Sequence, residues 1–224
     1  MLRNYFRFIV YLILAFGFSA ARAGAHEDFF KAIASDDAST VMTLMVRGFD
    51  PNALDEKGQN PLYLSQRDGA FKVAEALMSH PQLRIDRPNA AGETPLMMAA
   101  LRGHVPWMIR LLEKGARIEG AVGAVGGEGG HPRGWTPLHY AASAPDARAV
   151  ELLLARGART DARSPNGTTP LMMAAQYGPE AAVDTLLKQG ADARLRNDLE
   201  LGAADFAIRA KRESLAARLA AAAR

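Results

Sequence analysis

The 224-residue chain contains no cysteine, and this absence removes several kinds of chemistry at once. Disulfide bonds, thiolate metal sites, iron–sulfur clusters and a cysteine nucleophile are all excluded. Aromatic residues are scarce at 7%, whereas apolar residues make up 49% of the chain and charged residues 23%. That balance is typical of a globular protein, and a chain of this length buries roughly 70% of its unfolded surface without needing a metal or a disulfide.

The chain also lacks a general excess of positive charge. The formal net charge is +3, but Arg3, Arg7 and Arg22 all precede residue 24, where no acidic residue occurs. Without those three arginines the numbers of basic and acidic residues are equal. No basic stripe is left to indicate nucleic-acid binding, so we predict that no nucleic acid is bound.

Residues 1–23 have the pattern of a secretory signal peptide. A positively charged start is followed by an uncharged apolar run of 11 residues at 8–18, and residues 21–23 (Ala-Arg-Ala) match the site that signal peptidase cleaves. We therefore predict cleavage after residue 23 and a periplasmic location for residues 24–224. The alternative is an uncleaved membrane anchor, which the pattern favours less because a span needs about 20 apolar residues.

The rest of the chain repeats a pattern of about 33 residues. The motif Thr-Pro-Leu-x-x-Ala-Ala begins at Thr94, Thr136 and Thr169, and each copy is followed by a second apolar run and then by Gly-Ala. A threonine before a proline is typical of a capped helix start, and a glycine after an apolar run is typical of a helix end. Each unit is therefore predicted to be a pair of short helices that must stack on its neighbours to bury its apolar face.

This pattern resembles the ankyrin-repeat family over about residues 26–224. The resemblance implies an all-α fold in which residues 24–224 form one ankyrin-repeat solenoid of about six helix-turn-helix units with projecting β-turn loops. Unit two departs from the pattern, since Asn60 replaces threonine and Ser65-Gln66 replace the two alanines, so we expect a local distortion there. The expected units lie at about 26–58, 59–92, 93–134, 135–167, 168–200 and 201–224, the last being a C-terminal cap.

Unit three is longer than the others because of a glycine-rich insertion at 120–134. Glycine occupies six of the eleven positions from 120 to 130, which predicts an extended projecting loop. The stretch does not resemble a phosphate-binding loop, because no Gly-Lys-Ser/Thr ending follows it. Two interpretations stay open: a tolerated insertion, and a loop that becomes ordered on a partner.

No sequence motif indicates catalysis, a cofactor or a metal site, so we predict that the chain is not an enzyme. His104 and His139 occupy places that the resemblance associates with hydrogen bonds to the backbone between units. The methionine pairs at 97–98 and 172–173 could bind Cu(I) through their thioethers. Their position inside the first helix of a unit favours core packing instead.

In ankyrin-repeat proteins, partners bind the concave side, which is lined by loop tips and by the ends of the first helices. Those positions of this chain combine aromatic, aliphatic and arginine side chains, which is the composition of protein-binding hot spots. For Trp135, an exposed binding anchor and packing beneath the glycine-rich loop are equal alternatives. The candidate protein-binding residues are Arg67, Leu101, Arg102, Trp135, Gln176 and Tyr177.

The resemblance implies a non-enzymatic scaffold in the bacterial periplasm that binds another protein on its concave face. We expect a monomer that has no contact with the membrane once the signal peptide is removed. The alternative is an accessory or chaperone factor for a periplasmic enzyme, for example an oxidative-stress enzyme such as catalase. Only the analogy with exported bacterial ankyrin proteins suggests this alternative.

Overall fold

The computed structural model describes residues 24–120 and 134–224, and in these ranges the chain is helical. The predicted signal peptide at 1–23 and most of the predicted glycine-rich loop, 121–133, lie outside the described residues. Within the described ranges, the β-type pairing consists of an isolated antiparallel bridge between Arg196 and Gly202. No helix in that part of the chain is long and apolar enough to cross a membrane.

Twelve helices are described, and they follow one another as six pairs. Each of the six expected units contains one pair, which we call its first and second helix. In chain order the helices are α1 (24–34), α2 (Ala38–Val46), α3 (Pro61–Asp68), α4 (Phe71–Met78), α5 (Pro95–Leu101), α6 (Val105–Glu113), α7 (Pro137–Ala142), α8 (Arg148–Ala155), α9 (Pro170–Tyr177), α10 (Glu180–Lys188), α11 (Ala203–Arg209) and α12 (Glu213–Ala222).

In units two, three and five the first helix begins where the sequence predicts, and a side chain caps it. The hydroxyl of Thr94 accepts the backbone N–H of Met97 at 3.3 Å, and Thr169 makes the equivalent bond in unit five. In unit two the side-chain oxygen of Asn60 accepts the N–H of Tyr63 at 2.8 Å. A proline in the first turn lacks the N–H that would otherwise stay unpaired there, so cap and proline together start the helix.

The first helices stack in one row and the second helices in another. The alanine pairs at 99–100, 141–142 and 174–175 are fully buried on the first helices, where small side chains let neighbouring helices approach closely. The second helices contribute larger core residues such as Leu111 and Leu153, which are also fully buried. This continuous stack of helix pairs confirms the predicted all-α solenoid.

Unit two replaces the alanine pair with Ser65 and Gln66. The Ser65 hydroxyl donates to the carbonyl oxygen of Pro61 at 2.8 Å. The amide of Gln66 is fully buried, and neither its oxygen nor its nitrogen has a hydrogen-bond partner among the described residues. Both helices of unit two, α3 and α4, are nevertheless formed without a break.

Three glycines that follow first helices occupy their places for two different reasons. Gly69 and Gly103 have φ angles of 72° and 66°, in the left-handed region that favours glycine. Gly178 has a φ of −85°, so its backbone does not require glycine. What requires it is space, because a Cβ there would meet the carbonyl oxygen of Ala142. The guanidinium of Arg212 donates to three carbonyl oxygens at this end of α9.

Candidate functional site

A cavity of about 300 Å³ opens between the first helices of units three, four and five. Its lining is mostly aromatic and aliphatic, which is typical of a surface that receives an apolar side chain. We call this cavity the first-helix pocket. Its lining residues are Leu101, Trp135, His139, Tyr140, Ser143, Met173 and Tyr177.

The stacking of the first helices brings the lining side chains together. Leu101 is the last residue of α5 and Tyr177 is the last residue of α9, whereas Tyr140 lies in the middle of α7. Because α7 packs between α5 and α9, these residues converge although they are far apart in the sequence. The repeat thus brings apolar side chains from three consecutive units together in the first-helix pocket.

The buried His139 holds the segment that carries Trp135. Its Nδ1 accepts the backbone N–H of Thr136 at 3.1 Å, and its Nε2 donates to the carbonyl oxygen of Thr168 at 3.0 Å, which ties unit four to unit five. The Trp135 ring meets the imidazole edge-on, with 5.3 Å between centroids. Burial lowers the pKa of His139 to about 4, so the imidazole is neutral at neutral pH. The predicted bond between units is confirmed for His139.

The same prediction is wrong for His104. Its Nδ1 is buried and has no hydrogen-bond partner in the described part of the chain. His104 precedes α6 instead of lying inside a first helix, so its ring packs edge-on against Phe71 of α4, with 4.9 Å between centroids. Burial, helped by the nearby charge of Arg102, lowers the pKa of His104.

Two rings of the pocket remain open to solvent. Trp135 is 38% exposed and Tyr177 is 61% exposed, whereas Leu101, Tyr140 and Met173 are half-buried. Covering large apolar side chains with a partner removes them from water and is favourable by about 25 cal/mol per Å² of apolar surface. The question of whether residues 121–133 cover Trp135 lies outside the described residues.

The structure gathers half of the predicted protein-binding residues in the pocket. Three of the six line it: Leu101, Trp135 and Tyr177. Three do not: Arg67, Arg102 and Gln176. The guanidinium of Arg67 is held by two hydrogen bonds to Asp68, both of 2.7 Å, and Arg102 is exposed on the solvent side of its helix end. The pocket itself is therefore formed by three of the six predicted residues, and binding by all six stays a prediction.

Beside the pocket, one carboxylate accepts hydrogen bonds from three neutral side chains, an arrangement that the repeat pattern does not predict. Glu93 Oε2 accepts the Tyr63 hydroxyl at 2.7 Å and the Asn89 side-chain N–H at 2.8 Å, while Oε1 accepts the Tyr140 hydroxyl at 2.8 Å. We call these four residues the Glu93 cluster. The sequence offers one sign of this cluster: Tyr63 and Tyr140 occupy first-helix positions where units three and five carry methionine.

The Glu93 cluster carries one negative charge. Burial opposes the charge on Glu93, but the hydrogen bonds from Tyr63, Asn89 and Tyr140 outweigh that effect and lower the pKa of the carboxyl. Burial raises the pKa of both tyrosine hydroxyls, and their hydrogen bonds to Glu93 raise it further. At neutral pH the cluster therefore consists of one carboxylate and two neutral phenols.

The methionine pairs belong to the core. Met97, Met98 and Met172 are buried, and the sulfurs of Met97 and Met172 accept the backbone N–H of their capping threonines at 3.3 and 3.4 Å. Core packing is therefore confirmed for these three, while Met173 is half-buried and lines the pocket. In the described ranges no group of three or more histidine, aspartate or glutamate side chains is arranged to hold a metal ion.

Comparison with known proteins agrees with the repeat pattern. A family model described as ankyrin repeats (3 copies) matches residues 29–121 and 124–197. A putative ankyrin repeat protein of Rickettsia felis is 30% identical over 152 residues, which cover 67% of this chain and 58% of that protein. The poly(ADP-ribose) polymerase tankyrase of Caenorhabditis elegans is 36% identical over 72 residues, which cover 31% of this chain and 3% of that protein. The match thus covers only part of each relative.

Solved structures also match this chain, and one example covers most of its length. One chain in the structure of the predatory endopeptidase Bd0816 from Bdellovibrio bacteriovorus in complex with the immunity protein Bd3460 superposes on this chain with a TM-score of 0.69. The two chains are 28% identical, and the match covers 87% of this chain and 97% of that chain. The similar chain therefore comes from a structure in which two proteins are bound to each other.

Proposed function

Because this chain belongs to the ankyrin-repeat family, whose repeats are scaffolds for protein–protein interaction, we propose that it is an exported protein that binds a partner at the first-helix pocket. The observation that carries this proposal is the pocket itself, where exposed Trp135 and Tyr177 flank a 300 Å³ cavity. Tryptophan and tyrosine beside a concave apolar surface are the side chains that contribute most to binding in protein interfaces.

The way Tyr140 and the segment that carries Trp135 are held supports a binding role. His139 fixes the segment that precedes α7, and Tyr140 is fixed by its hydrogen bond to Glu93. A surface that is ordered before binding loses little conformational entropy when the partner arrives, so more of the contact energy appears as affinity. Recognition by such a rigid surface requires no reaction at the site.

A periplasmic location is part of the proposal, and the signal-peptide pattern at residues 1–23 supports it. Fractionation of the native cells followed by N-terminal sequencing tests it directly. We expect the protein in the periplasmic fraction with Gly24 as its first residue. Recovery from the cytoplasm with Met1 intact would contradict export, and recovery from the membrane with residues 1–23 retained would indicate the anchor.

Partner capture tests the binding role. We would immobilise the protein beside a pocket variant, Trp135→Ala with Tyr177→Ala, and beside a control that removes two exposed apolar side chains of α2, Met42→Ala with Val46→Ala. The proposal predicts a periplasmic protein that the wild type and the control retain and the pocket variant loses. A partner retained equally by all three would place the binding surface elsewhere.

A second candidate function is the control of an exported enzyme. The similar chain comes from a complex between an endopeptidase and an immunity protein, which favours an enzyme as the partner. The activity of the captured partner, measured with and without this protein, tests the idea. Inhibition would indicate an immunity-type role, and higher activity or stability would indicate an accessory factor. An unaffected enzyme, or a partner without enzymatic activity, would contradict this candidate.

A further inference from the structure

The charge of Glu93 is not paired with a cation in the described part of the chain. Other carboxylates contact arginine: Glu75 lies against Arg110 and Glu119 against Arg159. Glu93 instead contacts the neutral donors of its cluster, two phenols and an amide. These donors keep the carboxylate in its charged form without neutralising it, so a partly buried negative charge is left beside the pocket.

The predicted binding residue Arg67 does not neutralise this charge. It lies near Tyr63, but both of its hydrogen bonds go to Asp68 at 2.7 Å. A charge at a half-buried position interacts more strongly with an incoming ion than a charge in bulk water, because the surrounding dielectric constant is lower. A positively charged group close to Glu93 would therefore be attracted more strongly than a neutral one.

The carboxylate and the apolar pocket form one continuous surface through Tyr140. Its hydroxyl donates to Glu93 while its ring lines the pocket, with 6.4 Å between the centroids of the Tyr140 and Trp135 rings. Glu93 and Trp135 also occupy the same place in consecutive units, two residues before the first proline of α5 and of α7. Glu93 and Trp135 therefore have corresponding positions in neighbouring units, and Tyr140 lies next to both.

We propose that the partner presents a basic side chain, lysine or arginine, to Glu93 next to an apolar side chain that enters the first-helix pocket. The ammonium or guanidinium group binds the carboxylate, and the aliphatic stem lies along the rings of Tyr140 and Trp135. Carboxylates and aromatic faces are the two groups that attract such cations, and a basic side chain buries its stem while its charged end stays polar. This inference rests on the proposed function, because it names the partner chemistry of the same site.

Two small peptides test this proposal on the full protein: acetyl-Leu-Arg-amide, and acetyl-Leu-citrulline-amide, in which a neutral group of similar shape replaces the guanidinium. The readout is the indole N–H signal of Trp135 in a nitrogen–proton NMR spectrum, assigned with Trp135→Phe. The arginine peptide is expected to shift this signal with a Kd about tenfold lower than that of the citrulline peptide, since a hydrogen bond to a charged group contributes more than a neutral one.

The variants decide whether Glu93 causes the preference. Glu93→Gln keeps the shape of the side chain and one acceptor oxygen, and its NH2 group can donate to the hydroxyl oxygen of the other tyrosine. Because the charge is lost, this variant is expected to abolish the preference for arginine. Glu75→Gln removes the same charge from α4 and is expected to preserve it. Equal binding of the two peptides, a preference that survives Glu93→Gln, or a Trp135 signal that neither peptide moves would overturn the inference. The proposed function would be contradicted by a different result, namely a captured partner whose binding does not depend on Trp135 and Tyr177.

Discussion

Replacing His139 with methionine is expected to remove a pH-dependent part of the stability. Units three and five carry Met97 and Met172 at this place, and both sulfurs accept the N–H of the capping threonine. Methionine therefore fits the site and preserves that contact. It loses the 3.0 Å hydrogen bond from Nε2 to the carbonyl oxygen of Thr168, and it cannot be protonated.

The magnitude follows from the pKa of His139, which is about 4 in the folded protein against an ordinary value of 6.5. Because the folded pKa is the lower one, protons bind the unfolded chain first as the pH falls, and the folded state loses stability between these two values. The stability that the neutral imidazole of His139 contributes is fully present above pH 6.5. At 1.36 kcal/mol per pKa unit, the loss is about 2 kcal/mol between about pH 7.5 and pH 5, and about 3 kcal/mol below pH 4.

Urea unfolding of the wild type and His139→Met over this pH range is the assay. Other titrating groups are present in both proteins, so the difference between their free energies of unfolding isolates His139. Near pH 7.5 the variant is expected to be less stable by about 1 kcal/mol, through the lost hydrogen bond. That difference should shift by about 2 kcal/mol in favour of the variant at pH 5. Parallel stability curves would refute the reasoning.

Three further perturbations test the packing account. Gln66→Met is expected to raise the free energy of unfolding by about 1–2 kcal/mol, because it removes a buried amide without partners; a loss of stability would contradict this. Gly178→Ala should lower it by about 1–3 kcal/mol, since its Cβ meets the carbonyl oxygen of Ala142; an unchanged urea midpoint would disprove the steric argument. Deleting residues 123–130 should leave one cooperative transition, as expected for a projecting loop, and its loss would show that the segment stabilises the fold.

The helix pairs and their stacking are predictable from sequence because the signals are local and repeat at fixed spacing. Thr94 and the proline after it start a helix by hydrogen bonding and fixed φ, whatever the rest of the chain does. The burial of the alanine pairs follows from the same periodicity. Gly178 is different. It has the position of a turn glycine, but glycine is required there because a Cβ would meet the carbonyl oxygen of Ala142 in the neighbouring unit.

The contacts between units at the site are harder to predict, because they depend on how adjacent units pack against each other. Leu101, Trp135 and Tyr177 can be found from helix ends and loop positions. Tyr140 cannot be found in this way, because its position in the motif predicts a core residue. Its hydroxyl donates to a carboxylate that is 47 residues away in the sequence. Arg67 is predicted as a binding residue from its position alone, and its pairing with Asp68 becomes visible only in three dimensions.

The affinity of the captured partner for the wild type and for the Trp135→Ala, Tyr177→Ala variant tests the central claim most directly. Loss of two hot-spot rings is expected to weaken binding by at least about 2 kcal/mol, roughly thirtyfold in Kd. The Met42→Ala, Val46→Ala control should bind like the wild type. If the pocket variant bound with the affinity of the wild type, or if the control lost as much affinity as the pocket variant, the first-helix pocket would not be the binding site.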